Sequence, residues 1–250
     1  MILKAAFLTG AALVSADLET IKQNFIGLVK NSSIPVPVPD GTGADGRSFG
    51  SSWAGQMIEN IDEYGCWCYF QEDHGKGRGP PANEVDAQCK KLHDGYTCII
   101  LDAEAEGDEC TPWDVPYNSG TGLGLVADDP ENNNNANALR KSCARANRFD
   151  DCAQRSCIVE SFFVMQLFRQ FLDGVKFDMS LKHSLGNWDR IDDCPVNQGI
   201  DAEKECCGTY PHRFPFKLAT LYGARACCGE LTYNPDVMEC CAGNVIKMTC

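Results

Sequence analysis

Hydrophobic and polar positions alternate along this chain in three helical stretches, separated by segments that cannot be helical. Residues 17–30 place Leu18, Ile21, Phe25 and Leu28 three and four apart, the period of an amphipathic helix. Residues 32–50, with Pro35, Pro37, Pro39 and four glycines, break that period and read as a linker. The next organised block begins near Ile58. It carries a glycine-rich loop, Gly75 to Pro81, and then a helix predicted over about 83–101, whose stripe Val85, Cys89, Leu92, Tyr96 and Ile99 forms a buried seam. An acidic loop is expected over 102–110 and then a Gly- and Asn-rich segment over 120–137, in which the tract 132–135 reads as a solvated loop. A second long helix is expected over about 150–172. Ile158, Phe162, Met165, Phe168 and Leu172 lie on one side of it, with Val159, Phe163 and Phe171 widening the face. The last 60 residues set eight cysteines among Gly, Pro and Tyr and read as an irregular module with too little apolar material for a large core.

Cysteine usage and the first residues set the compartment. Lys4, the apolar run 5–14 and the small residues of Val14-Ser15-Ala16 look like a secretory signal cut after Ala16. In an oxidising compartment sixteen cysteines read as eight disulfides, and their spacings do not reproduce the paired C-x2-C pattern of structural zinc sites. Asn31-Ser32-Ser33 is a glycosylation sequon consistent with that route. The formal charge is −13, and loss of residues 1–16 removes one lysine, leaving 21 basic against 35 acidic residues, or −14. That balance argues against nucleic acid as a partner, because phosphate neutralisation needs clustered Lys and Arg.

The stretch Tyr64-Gly65-Cys66-Trp67-Cys68, followed by Gly75, Gly77, Gly79 and Pro81 and by Asp86, Cys89, His93-Asp94 and Tyr96, resembles the calcium loop and first catalytic helix of secreted phospholipase A2. The resemblance covers about residues 61–101. It implies a mainly α, disulfide-rich core with two antiparallel long helices, and Ca²⁺-dependent hydrolysis of the sn-2 ester at a phospholipid surface. It also implies that His93 is the general base, that Asp151, with Asp150 next to it, orients the base, and that Ca²⁺ is bound by Asp94 and the carbonyls of Trp67, Tyr69 and Gly77. The chemistry is coherent: imidazole titrates near neutrality, and a hard cation with oxygen ligands stabilises an oxyanion. Each residue also has a plain reading. A histidine at the edge of an apolar stripe is often a buried, hydrogen-bonded residue, and an acid at a helix start complements the dipole.

Two departures from the family pattern bear on catalysis. The interval from Cys68 to Pro81 is longer by about five residues, with Tyr69-Phe70 in place of a glycine. Counted from Asp86, Cys89 and Tyr96 keep the family spacing, whereas His93 falls one residue late, so Leu92 takes the position of the base; one residue turns a helix by about 100°. A second register aligns His93-Asp94 with the catalytic pair and gives up the Asp86 and Tyr96 matches. The ungapped register is favoured, because an insertion in a disulfide-pinned helix needs a bulge. The segments 206–211 and 227–235, closed by Cys240-Cys241, are similar to the di-cysteine repeats of galaxin-type extracellular matrix proteins. The expected organisation is a signal over 1–16, a helix and linker over 17–57, a phospholipase A2-like domain over 58–175 and a Cys-rich module over 176–250. The expected function is secreted phospholipid hydrolysis; the alternative is a non-catalytic extracellular matrix or binding protein on the same scaffold.

Overall fold

The computed structural model describes residues 20, 22–24, 26, 57, 59–70, 77–118, 133–175, 177–186, 188–196 and 200–250, with the side chains of 133–135, 168, 171 and 172 left aside. The signal, the sequon, the linker and the stripe positions 18, 21, 25 and 28 lie outside the described residues, as do His74, Gly75 and Lys76 in the loop.

Helix α1, Glu84–Glu106, begins where Asn83 turns its side-chain oxygen to the Asp86 N–H (3.0 Å) and ends at Gly107. Every member of the predicted stripe is buried on it. The acidic loop expected from residue 102 is instead the last turn of this helix as far as Glu106, because Asp102 is held in place by Arg213 and Tyr210. Helix α2, Asn133–Ala146, replaces the solvated Asn-rich loop expected there. Asn is a weak helix former, but Ala136, Leu139 and Cys143 follow at three and four residues and are all buried. Helix α3, Asp151–Leu172, has Ile158, Val159, Phe162, Phe163 and Met165 in the core; the predicted Phe168, Phe171 and Leu172 contacts fall on side chains outside the description.

α1 and α3 pack side by side. Gln170 near the end of α3 donates to the Glu84 carbonyl at the start of α1, while Arg155 near the start of α3 pairs with Glu106 at the end of α1. Gly95 makes the crossing close: a Cβ there would stand 2.7 Å from Val159 Cγ1. Helix α2 also packs against α3 and is stitched to it by Cys143–Cys157.

Beyond α3 come two 3₁₀ turns, Met179–Leu181 and His183–Leu185, and the short helix α4, Arg190–Asp193. The rest is not irregular, as expected, but four antiparallel hairpins: β1–β2 (Lys204–Cys207, Phe214–Lys217), β3–β4 (Ala219–Thr220, Gly223–Ala224), β5–β6 (Ala226–Cys228, Leu231–Tyr233) and β7–β8 (Glu239–Cys241, Val245–Lys247). The chain therefore combines helices with short strands. All sixteen cysteines pair, giving the eight disulfides the count implied.

Candidate functional site

The turn of residues 64–68 is built around a buried carboxylate. Asp86 accepts the backbone N–H groups of Cys66, Trp67 and Ala82, each at 2.8 Å, so one side chain ties this turn to the start of α1. Burial pushes its pKa up and those backbone bonds pull it down. Cys68–Cys89 clamps the same turn to the next turn of the helix.

His93 is 1% exposed, ringed by Trp67, Phe70 and Tyr96 with centroids 6.2–6.3 Å away. Its imidazole donates to the Trp67 carbonyl, and burial lowers its pKa to about 4 despite that bond, with Lys90 and Arg190 adding to the lowering. The same carbonyl accepts the Tyr69 N–H at 2.9 Å. The oxygen expected to bind Ca²⁺ is thus already occupied by two donors from this chain.

Asp94, the expected side-chain ligand, is also engaged elsewhere. Asp94 pairs with the Lys90 ammonium, which lies 4.8 Å from the centre of the Trp67 ring. A cation does sit between Asp94 and Trp67, but it belongs to lysine. Gly77 lies directly under the Trp67 indole, so close that a Cβ would fall 2.1 Å from the ring, and the indole N–H donates to the Gly79 carbonyl at 3.1 Å. Tyr69 donates its hydroxyl to the Gly65 carbonyl, carries the Arg190 guanidinium over its ring and has its pKa pushed up to about 12 by burial. Over this loop runs the strap 188–195: Trp188 donates to the Gly65 carbonyl, Cys194 is bonded to Cys66, and the Pro195 carbonyl presses on Gly79. Among the described residues no group of three or more His, Cys, Asp or Glu is placed to hold a metal ion. Of the expected donor set, the Asp94 carboxylate and the Trp67 carbonyl are thus already engaged by other groups of this chain.

Asp151 is not brought to His93. It is exposed at the first turn of α3, accepts from Gln154 and lines a cavity of about 470 Å³ beside the Cys110–Cys152 bridge. Phe163, which shares contact with Phe70 and so marks the level of His93, lies twelve residues further along α3, ~18 Å by helix rise. Asp150 caps the helix through the Ala153 N–H.

The carboxylate on α3 that faces α1 is Glu160, which sequence reasoning missed. It is fully buried and accepts from Tyr96 (2.8 Å), Tyr117 (2.7 Å) and, more weakly, Asn24 (3.4 Å). Leu92, 1% exposed, lies one turn before Tyr96 on the same face of α1. The available signal was a single acid inside the apolar run 157–165. α1 is an uninterrupted helix through Leu92 and His93, so no bulge shifts one into the place of the other. No protein-family model, curated protein or solved structure matches this chain.

Proposed function

We propose that this is a non-catalytic, disulfide-braced extracellular binding or matrix protein on a phospholipase A2-like scaffold. The observation that carries this reading is the exchange at positions 92 and 93. One turn before Tyr96, which donates to the buried Glu160, stands the buried aliphatic side chain of Leu92, while the neighbouring imidazole is held by the Trp67 carbonyl. A base kept neutral in an aromatic cage and turned onto a backbone carbonyl has neither the orientation nor the accessible water that ester hydrolysis needs. The Lys90 ammonium beside Asp94 further disfavours a divalent ion, since binding would bring two like charges together. Eight disulfides support the secreted setting, and the galaxin-like hairpin module supports a matrix or binding role over an enzymatic one.

The test is release of fatty acid from zwitterionic phospholipid vesicles, with and without a calcium chelator, paired with calcium titration calorimetry. We expect no chelator-sensitive release and no calcium heat. Chelator-sensitive hydrolysis that is lost in His93→Gln would restore the enzymatic reading and overturn this one.

A further inference from the structure

Where the end of α1 meets the start of α3, the chain leaves a cavity of about 470 Å³, within the ~300–1,000 Å³ range of small-ligand sites. Its apolar lining is Ile99, Ala103 and the Cys110–Cys152 bridge. The walls are already fixed. The bridge joins the loop after α1 to α3, and Arg155 donates through Nη2 to both Glu106 oxygens, at 2.6 and 2.9 Å, joining the end of α1 to the same helix. The Asp108 N–H returns to the Ala103 carbonyl at 2.9 Å, and Asp150 caps α3 through the Ala153 N–H. Phe149 also lines the cavity and yet is 87% exposed, so its ring stands at the mouth.

Charge selects the occupant. Five carboxylates and two guanidiniums line the cavity, an excess of three negative charges, and a cleft with apolar walls concentrates such a field on incoming cations. Among the described residues no three acidic groups are placed to hold one metal ion, so the charge is spread as an extended organic cation requires. The two guanidiniums already present show how this lining takes one: Arg155 lies on a carboxylate, and Arg148 lies over the Phe149 ring, 4.4 Å from its centre. We infer that this cavity is the docking site for an arginine side chain carried by a basic segment of a partner protein. The methylene stem packs on Ile99, Ala103 and the disulfide, the head meets Asp108, Glu109 and Asp151, and Phe149 covers its flat face. This names a partner chemistry for the binding protein proposed above and rests on that reading.

The experiment is fluorescence anisotropy of the full chain with a labelled Gly-Arg-Gly-Arg-Gly peptide at about 0.15 M salt, beside the same peptide with neutral citrulline in place of arginine. The arginine peptide should bind saturably and the citrulline peptide should not. Asp108→Asn with Glu109→Gln should weaken binding about tenfold or more, the worth of one charge-assisted hydrogen bond, and Phe149→Ala about threefold. Glu230→Gln with Asp236→Asn, the same charge change on the hairpins, should stay within about twofold of wild type. Absence of arginine-peptide binding, equal binding of the citrulline peptide, or equal losses in the two double variants overturns the inference; the last outcome leaves only general acidity. The substituted side chains are exposed, and the wild-type comparison of the two peptides decides even if a variant fails to fold. A negative peptide result leaves the vesicle assay as it stands, so the two readings fail separately.

Discussion

At the scale of single residues, His93 shows how position outweighs identity. An imidazole is useful for catalysis because it titrates near neutral pH. In its aromatic cage it has a pKa of about 4 and is a neutral packing element that also satisfies the Trp67 carbonyl. The linkage has a definite sign. Its folded pKa is depressed below the unfolded value of 6.5, so between pH 6.5 and pH 4 the unfolded chain binds a proton that the folded chain does not. Stability should therefore fall as pH drops through that window, by about 3 kcal/mol in all, and His93 should contribute no slope above pH 6.5. Denaturant melts from about pH 4 to about pH 8 check this: His93→Gln, which keeps a donor for the carbonyl, should remove this part of the acid slope. An undiminished slope in that variant would place the acid sensitivity elsewhere. The candidate site was only half legible for the same reason. The motif identifies His93, Asp94 and Trp67 by spacing on one helix and one turn. Glu160 gains its role from residues 24, 96 and 117, which no local spacing brings together.

At the scale of elements, the long helices were legible because their apolar stripes repeat over about four turns, and α1 and α3 fall where that period put them. Helix α2 was hidden by its Asn-rich start, since a short polar opening outweighs three apolar positions when the sequence is read locally. Tertiary packing decides otherwise: Ala136, Leu139 and Cys143 are buried, and the Cys143–Cys157 bond ties the helix to α3. Leu139→Ala should thus destabilise the protein by ~2–4 kcal/mol, the range for emptying a buried leucine site. Thermal melts will read it. A change below about 0.5 kcal/mol, the size of an ordinary surface substitution, would mean that α2 is an ornament held by its disulfide rather than a part of the core. The hairpins were illegible for a different reason. Their strands are two to four residues long, too short for alternation to show, and turns and disulfides determine them instead.

At the scale of the whole molecule, the cysteine pairs turn the last fifty residues into a ladder. In each adjacent pair the first cysteine bonds backwards and the second forwards: Cys206 to Cys98 on α1 and Cys207 to Cys227, Cys228 to Cys240, and Cys241 to Cys250. Each disulfide thereby ties one part of this module to the next along the chain, and β1–β2 is joined to the helices by Cys98–Cys206 and by Arg213 and Tyr210 on Asp102. Most side chains on these hairpins are exposed or half-buried, so the bridges supply what a core supplies elsewhere. Such an array should lose order from its far end, each rung protecting the hairpins beyond it. Removing one rung by Cys228→Ser with Cys240→Ser opens a short loop, for which chain entropy gives about 3 kcal/mol. Exchange protection should then drop in β7–β8 while β1–β2 and α1 keep theirs, and the helical circular dichroism should not change. Removing Cys98 and Cys206 instead should loosen all four hairpins together, because that bond joins the first of them to the helical body. If the first double variant also exposes α1, the tail is not a ladder hung on the helices but an integral part of their core.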